Sequence, residues 1–516
     1  MKTTQKSIWG VIFTVILVSV ALGVCPVQAA SSKGVCKIGL HWGISANWLD
    51  PSTCDPTVSA HLPLYLFHDA LLKPMPGDGR SPCLAESWTV SPDYKVYEFK
   101  LRRGVKFHNG DPMNAEDVVF TFQRYKGGNF PLFQRKIEKL EAVNPYLFRV
   151  TFKEPFPDFL DYFLPGMSTI GWIVPKKYIE KVGDAEYRKH PIGCGPYKFI
   201  EFSAGAKLAG EAFEEFWRKT PNIKRLEFYI VTEASTRYTM VKKGELDIGT
   251  VFTGVFFDKL RTDPDLRKSH PQTAIVFLIC MASQFDPKSP WSDARVRKAA
   301  SLALDRQKII DIHFPGSTAL GGIGLPKESP DLLDRPADPY DPGQAKKLMA
   351  EAGYPKGFHG GKFYPYNSLY WEMCEQVANY WKVIGIDLET IRVDRPAWFA
   401  MRRGGKMKGA TFVEPVSPPL VSARLAYLFN PQWSYGNYPE IDALWNQYTK
   451  AVDPKTRRDL LLSIQKIMND KTMFIYISNS AGPHALGPRV KGDPVKIHRP
   501  IPIWIMSPME DMELND

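Results

Sequence analysis

Apolar and polar residues alternate or recur at helical spacing along most of the chain. Residues 95–101 are apolar at every second position, which predicts a half-buried strand, and residues 105–107 continue the alternation as a second short strand. Asn109 and Gly110 predict a turn between these strands and the next element. Asn114 is predicted to cap a helix whose first turn carries acidic residues. The unit therefore predicts strand, turn, strand, turn and capped helix.

The same two periods continue in alternation towards the C-terminus. They predict strands at 35–40, 226–231, 246–248 and 473–477, and helices at 234–243, 292–310, 342–353, 372–384, 441–448 and 454–468. The segment after residue 384 is predicted to be a strand that ends in VDRPAWF. Strands that alternate with helices favour an α/β fold with a mostly parallel sheet.

The N-terminus has the pattern of a secretory signal peptide. Basic residues precede a 17-residue apolar run, Ile8–Val24, and Val27-Gln28-Ala29 places small residues at the cleavage positions. Residues 1–29 are therefore predicted to be removed on export. A retained membrane anchor is the alternative, because the run is at the lower limit of a spanning helix.

The segment Leu22–Cys25 also resembles a lipoprotein box, but the bulky Val24 argues against processing there. We favour a soluble periplasmic chain that begins near Ala30 over lipoprotein anchoring. Loss of two leader lysines changes the formal net charge from +11 to +9. Export and the scattered basic residues exclude nucleic acid as the expected partner.

The mature chain is large enough for more than one domain. It has 487 residues, which predicts two or three domains. Six cysteines remain, an even number that allows disulfides in an oxidising compartment, but buried thiols are an equal alternative. The sequence does not determine their pairing. These cysteines are Cys36, Cys54, Cys83, Cys194, Cys280 and Cys374.

No motif in the chain predicts catalysis. A nucleophile elbow, a zinc-protease helix and a phosphate loop are all missing from the sequence, so no catalytic residue, metal site or cofactor is predicted. His61 and His68 lie seven residues apart on a predicted helix, and without a third ligand we interpret both as structural. His41 and Trp42 follow the strand 35–40, where they either line a cleft at the carboxyl end of the strand or pack on the surface.

The segment Leu84–Arg124, LAESWTVSPDYKVYEFKLRRGVKFHNGDPMNAEDVVFTFQR, resembles the signature region of the bacterial family 5 extracellular solute-binding proteins. The segment His190–Phe199, HPIGCGPYKF, is similar to the GTGPY segment of that family, with Cys194 in place of threonine. Residues 292–310 and 340–358 are also similar to family segments. The resemblance extends from about Ile38 to Asn479.

The resemblance implies an α/β fold of the two-lobed periplasmic binding protein type (type II, cluster C-like) with an extra inserted subdomain. It implies a signal peptide at 1–29, a first lobe of 30–77, 196–285 and 487–516, an inserted subdomain at 78–195 and a second lobe at 286–486. The implied function is that of a monomeric, non-enzymatic receptor that closes on a solute and delivers it to an ABC permease in the inner membrane. Peptides or peptide-like solutes are expected, and the alternatives are a non-peptide aromatic or anionic solute (opine-, nickel-chelate- or sugar-like), a secreted hydrolase and a structural envelope protein.

The resemblance also suggests the ligand-binding residues. Dipeptide receptors of the family have an arginine for the peptide carboxylate where this chain has Tyr364, and an aspartate for the amino group near Ser417. Because each charged hydrogen bond contributes about 1.5 to 3 kcal/mol, a plain dipeptide is disfavoured and longer peptides held through their backbone remain. Glu414 either replaces the missing acid or is a loop carboxylate.

Aromatic walls for the ligand complete the predicted site. They are expected from Trp42, Tyr364, Tyr366 and Trp398, with His41 beside Trp42. The basic run 402–408 either attracts an anionic ligand or, as we favour, forms a solvated hairpin.

Overall fold

A computed structural model describes the chain over residues 32–54, 57–75, 78–269, 273–315, 317, 319, 321–325, 329–366, 370–393, 395–407, 411–416, 420–429, 436–494 and 508–515. The predicted signal peptide lies outside these residues. Among the described helices none is both long enough and apolar enough to cross a bilayer.

Strands and helices alternate along much of the described chain, as predicted. The predicted mostly parallel sheet is wrong, because ten antiparallel pairs and four parallel pairs join the described strands. The strands are β1 Lys33–Leu40, β2 Leu72–Met75, β3 Asp78–Pro82, β4 Ala85–Val90, β5 Val96–Leu101, β6 Ile137–Asn144, β7 Leu147–Phe152, β8 Tyr197–Ser203, β9 Lys207–Ala212, β10 Ile223–Ile230, β11 Ile248–Gly249, β12 Arg267–Lys268, β13 Thr273–Met281, β14 Phe358–Tyr364, β15 Ile386–Thr390, β16 Thr411–Val416, β17 Phe474–Ala481 and β18 Ala485–Leu486.

The helices lie between these strands. They are α1 His61–Phe67, α2 Ala115–Arg124, α3 Phe130–Lys136, α4 Lys176–Val182, α5 Asp184–Lys189, α6 Ala234–Lys242, α7 Gly254–Thr262, α8 Ala294–Leu302, α9 Arg306–His313, α10 Pro342–Glu351, α11 Trp371–Val383, α12 Arg395–Arg403, α13 Val421–Leu428, α14 Pro439–Tyr448 and α15 Pro454–Asp470. A 3-10 helix at Phe159–Phe163 is used below.

Two large sheets divide the described residues. The first has seven strands in the order β12-β18-β11-β1-β10-β9-β8, and the second has five in the order β15-β14-β16-β13-β17. Each sheet belongs to its own apolar core cluster. We call the first sheet and the elements packed on its core the first lobe, and the second sheet with its helices the second lobe.

A third sheet in the first lobe contains the signature unit. Its four antiparallel strands have the order β4-β5-β7-β6, and the predicted alternation of β5 is confirmed by the burial of Tyr97, Phe99 and Leu101. The predicted cap of α2 is also confirmed, because the Asn114 side chain accepts from the backbone of Glu116 at 2.7 Å. The predicted second strand at 105–107 is wrong, since this segment makes only a single bridge, between Lys106 and Pro112.

The boundaries of the predicted lobes remain a prediction. The pairing of β13 with β16 and β17 places Thr273–Met281 in the second sheet, although the predicted boundary assigned this strand to the first lobe. The strand pairing therefore favours a boundary before residue 273.

All six cysteines are buried thiols, which resolves the alternative that the sequence left open. Burial raises the pKa of Cys36, Cys83, Cys194 and Cys374. Because the thiolate is the reactive form, we expect these four side chains to be chemically inert in the folded protein.

Candidate functional site

The parallel strands of each large sheet end at an edge that adjoins the segments where the chain crosses between the lobes. We call this the carboxyl edge of the sheet, because the carboxyl ends of its parallel strands lie there. In the first sheet β10, β1 and β11 are parallel, and the antiparallel β18 begins at the edge where they end. In the second sheet β14, β15 and β16 are parallel, and the antiparallel β13 begins where β16 ends. The chain crosses between the sheets directly before β13 and directly before β18. Both edges therefore adjoin the crossing, where ligands of open α/β sheets bind.

The crossing segments are held together by hydrogen bonds. The backbone N–H of Ser269 donates to the carbonyl of His484 at 3.0 Å, and the N–H of His484 donates to the Ser269 hydroxyl at 2.9 Å. The Nδ1 of His484 accepts from the N–H of Val251 at 2.9 Å, which fixes the proton of the neutral ring on Nε2. Burial lowers the pKa of His484 to about 4, so the ring is neutral at pH 7.

A threonine fixes the predicted His41 at the carboxyl edge of the first sheet. The Thr250 hydroxyl donates to the carbonyl of Gly39 at 2.9 Å and accepts from the N–H of His41 at 3.2 Å. The His41 Nδ1 lies 3.1 Å from the same hydroxyl oxygen. Trp42 is buried and meets the His41 ring edge-on, with 4.6 Å between the ring centroids. The structure thus brings His41 and Trp42 together at this edge.

A buried arginine holds the ends of the neighbouring strands. The Arg237 Nε donates to the carbonyl of Thr250 at 2.8 Å, and its Nη2 donates to the carbonyl of Val251 at 2.9 Å. Its Nη1 donates to the carbonyls of Val231 and Thr232 at 2.6 and 3.1 Å. Burial lowers the pKa of Arg237 to about 9, so the guanidinium is mainly charged at pH 7. Hydrogen bonds from Arg237 therefore hold the backbone groups of this edge in place.

The predicted aromatic residues of the second lobe lie near its carboxyl edge. Tyr364 ends β14, and Tyr366 meets Trp398 edge-on with 5.2 Å between the ring centroids. Tyr366 also stacks on Tyr370 at 6.2 Å. All four rings are buried, and Trp398 has no accessible surface. Tyr366, Tyr370 and Trp398 form one aromatic group, which we call the aromatic cluster.

Two expectations about the second lobe are corrected here. Trp398 was predicted at the end of a strand, but it lies in α12, whose second residue is the proline that commonly opens a helix. The basic run was predicted as a solvated hairpin. Instead Arg402 belongs to the same helix and is buried, and the exposed residues 404–406 follow that helix.

The remaining two predicted ligand residues are not settled by the described side chains. The backbone of Glu414 pairs with Leu278 within the second sheet, but its side chain lies outside the described residues. Ser417 lies outside them altogether. The replacement of the charged dipeptide anchors by Tyr364 and Ser417 stays a prediction.

No group of three or more metal-ligating side chains occurs among the described residues. His61 and His68, which the sequence marked as structural, are both buried, and burial lowers the pKa of each to about 4. His61 Nδ1 lies 2.9 Å from the carbonyl of Thr57, and His68 Nε2 lies 3.3 Å from the carbonyl of Leu49. These are contacts of packed side chains.

Sequence reasoning missed Thr250, Arg237 and His484. Thr250 lies two residues after the predicted strand 246–248 and directly after the observed β11, and that position at a carboxyl edge was a usable signal. Arg237 lies in the polar sequence of α6 and His484 in a short loop, so neither has a pattern that separates it from solvent-facing residues. Only the pairing of distant strands places them at the site.

The chain also matches a known family. Residues 80–447 match the model described as bacterial extracellular solute-binding proteins, family 5 Middle. The chain belongs to this family. It is thus a solute-binding receptor of the kind that serves ABC importers, as the sequence resemblance predicted.

Curated relatives and solved structures agree with this family. The chain is 29% identical to heme-binding protein A of Haemophilus influenzae over 80% of this chain and 81% of that protein. It is 25% identical to the dipeptide-binding protein of Escherichia coli over 81% of this chain and 84% of that protein. The periplasmic binding protein DppA of Helicobacter pylori, solved in complex with the peptide STSA, superposes with a TM-score of 0.79 at 20% identity, over 94% of this chain and 98% of that one.

Family membership indicates what the two carboxyl edges bind. Receptors of this family bind solutes, and the fold of the solved neighbour confirms the predicted two-lobed α/β architecture. The carboxyl edges that meet at the crossing segments are therefore the candidate solute-binding site of this family 5 chain.

Proposed function

We propose that the mature chain is a periplasmic receptor that binds peptides or peptide-like solutes between the two carboxyl edges, closes around them and delivers them to an ABC permease. The observation that carries this proposal is that the parallel strands of both sheets end beside the segments that cross between the lobes. A hinge at Ser269 and His484 would let the edges approach each other. Closure follows because the ligand binds the closed state better than the open one.

The chemistry of the first edge favours a ligand with backbone-like groups. His41 and Thr250 lie at this edge, and the charged Arg237 holds four main-chain carbonyls there in a rigid frame. Such a frame suits the amides of a peptide, which pair with backbone groups as an added strand does. The relative from E. coli and the neighbour from H. pylori are a dipeptide-binding and a peptide-bound protein by name. With Tyr364 and Ser417 in the anchor positions, we expect tripeptides and longer peptides rather than dipeptides.

A second candidate is a non-peptide aromatic or anionic solute. The aromatic cluster of the second lobe favours it, as does the 29% identical relative named for heme, a flat aromatic molecule with carboxylates. Cationic arginine at the first edge would assist an anion. The predicted residues Glu414 and Ser417 remain candidates for contact with either ligand.

The same proposal covers the export, the oligomeric state and the lack of catalytic activity of the protein. We propose that residues 1–29 are cleaved as a signal peptide, that the mature protein is a soluble periplasmic monomer without a lipid anchor, and that it changes no bond in its ligand. The relatives named above are binding proteins. A secreted hydrolase is the alternative that the following experiment also tests.

The experiment uses the purified mature chain. Native mass spectrometry first identifies any retained solute, and thermal unfolding is then measured with di-, tri- and pentaalanine and with heme. A ligand at a hundred times its Kd should stabilise the protein by about 2.7 kcal/mol, and chromatography should recover it intact. Stabilisation by heme alone would favour the second candidate, and consumption of a peptide would indicate a hydrolase.

A matched pair of threonine variants tests the site itself. Thr250→Val removes the hydroxyl that joins Gly39 and His41, and we expect about tenfold weaker binding of the stabilising ligand from the loss of these neutral hydrogen bonds. Thr262→Val is the control, because its exposed hydroxyl bonds only carbonyls of its own helix. Equal affinities for the two variants would place the ligand elsewhere.

A further inference from the structure

A polar contact joins the two lobes at residues that are not at either carboxyl edge. Asp158 precedes the 3-10 helix Phe159–Phe163 of the first lobe, and its carboxylate pairs with the Arg457 guanidinium of α15. The Tyr448 hydroxyl, at the end of α14, donates to the same carboxylate oxygen at 3.0 Å. The exposed fractions of Arg457 and Asp158 are only 13% and 19%, so the pair is largely removed from water.

A second carboxylate of the same 3-10 helix makes a parallel contact. The Ser422 hydroxyl of α13 donates to Asp161 Oδ2 at 3.1 Å, and Arg80 of the first lobe pairs with the other oxygen of that carboxylate. Asp161 is buried, with a side-chain exposure of 7%. We call the five side chains that meet across the lobes the interlobe cluster, and they are Asp158, Asp161, Ser422, Tyr448 and Arg457.

The apolar packing around the interlobe cluster also spans the lobes. Helix α13 contributes Val421 and Leu425 to the core of the second lobe, but Ala423 of the same helix belongs to the core of the first lobe. Burial raises the pKa of both Asp158 and Asp161, that of Asp161 to about 6, although the paired arginines act in the opposite direction. The Asp158 carboxylate therefore depends on Arg457 across the interface to remain charged when buried, whereas the cation paired with Asp161 is Arg80 of its own lobe.

We propose that the interlobe cluster is a latch that stabilises the closed state of the receptor without touching the ligand, and so sets the affinity for every ligand. The proposal rests on hinge closure as part of the proposed function. When the lobes separate, Asp158 and Asp161 regain water, whereas Arg457 keeps its bonds to the carbonyls of Tyr448 and Ala451 within the second lobe. The apparent Kd equals the intrinsic Kd divided by the closed fraction, so weakening the latch weakens binding.

The test measures the interlobe distance in the ligand-free protein by pulsed electron paramagnetic resonance. Spin labels at Glu215→Cys in the first lobe and Lys347→Cys in the second are exposed, and the six native cysteines are buried and will not compete. Asp158→Asn and Arg457→Gln are compared singly and together. Asp158→Asn leaves the second-lobe bonds of Arg457 intact, so it separates the latch from any local damage to α15.

The latch requires that each single variant lowers the closed fraction and weakens the binding of a peptide probe, pentaalanine, by about tenfold. The double variant should be no worse than the worse single variant, because both remove one shared interaction. Arg458→Gln is the control, since Arg458 is exposed and faces Asp331 of its own lobe. It should behave as the wild type.

Three results overturn the proposal in different ways. If pentaalanine shortens the interlobe distance in the wild type but both single variants match it, the latch is wrong and the hinge receptor stands. If one distance is found in every protein with and without pentaalanine, hinge closure itself fails. Additive losses in the double variant would also exclude a direct coupling across the lobes.

Discussion

The two carboxyl edges that form the candidate site are built from different materials. The edge of the first lobe is polar, and Arg237, Thr250 and His484 tie its backbone groups to one another. The edge of the second lobe is aromatic, and Tyr366 and Trp398 pack there as part of the core. The difference suggests that the first lobe binds polar groups of the ligand and that the second lobe binds apolar ones. Three predictions test this comparison.

The largest effect is expected from the aromatic edge. Trp398→Ala should lower the free energy of unfolding by about 3 to 5 kcal/mol, because the fully buried ring leaves a cavity. Urea unfolding at pH 7 measures the loss. Val383→Ala in the same lobe is the control, since Val383 is 55% exposed and a surface change of this kind costs less than about 0.5 kcal/mol. Unchanged stability with weakened ligand binding would mean that Trp398 lines an open cleft rather than the core.

The polar edge should depend on Arg237 to a somewhat smaller extent. Arg237→Met leaves four backbone carbonyls without their donor, and we expect a loss of about 3 kcal/mol in the free energy of unfolding. Arg261→Met on the neighbouring α7 is the matched control, because Arg261 is more than half exposed. A loss no greater than that of the control would show that water replaces the guanidinium, and the first edge would then be less rigid than proposed.

The smallest effect is expected in the pH dependence of the free energy of unfolding. It reports on the edge of the first lobe, because His484 lies there. The pKa of His484 is lowered to about 4 in the folded protein, against about 6.5 in the unfolded chain. Its neutral form therefore supports the fold fully above pH 6.5, and this support is lost as the pH falls from 6.5 through 4. The loss between pH 7 and pH 5 amounts to about 2 kcal/mol.

His484→Asn should remove this sensitivity, because an amide oxygen can still accept from the N–H of Val251 but does not titrate. The free energy of unfolding is measured at pH 7 and pH 5 for both proteins, and the drop in the variant should be smaller by about 2 kcal/mol. Equal drops in the two proteins would show that the pKa of His484 is not lowered in the fold, against the buried neutral ring described here.

Local patterns in the sequence predicted most of the elements and their order. The helix predicted at 234–243 spans Ala234–Lys242, and the one predicted at 454–468 spans Pro454–Asp470, because apolar spacing and caps are properties of neighbouring residues. The errors arose at short apolar segments whose pattern does not determine which secondary structure forms. The short alternation at 105–107 is too brief to hold a strand, and the apolar residues before Arg402 suit a helix as well as a strand end.

Local sequence patterns were enough to predict the α/β alternation, the capped signature unit and, through resemblance, the family. They also placed His41 and Trp42 directly after a strand, where a site is expected. The folded chain was needed to show that Thr250 contacts His41, that Arg237 and Arg402 are buried, and that Asp158 faces Arg457 across the lobes. These contacts join residues far apart in the chain, and a charged side chain carries no local signal of the distant carbonyl or carboxylate that makes its burial favourable.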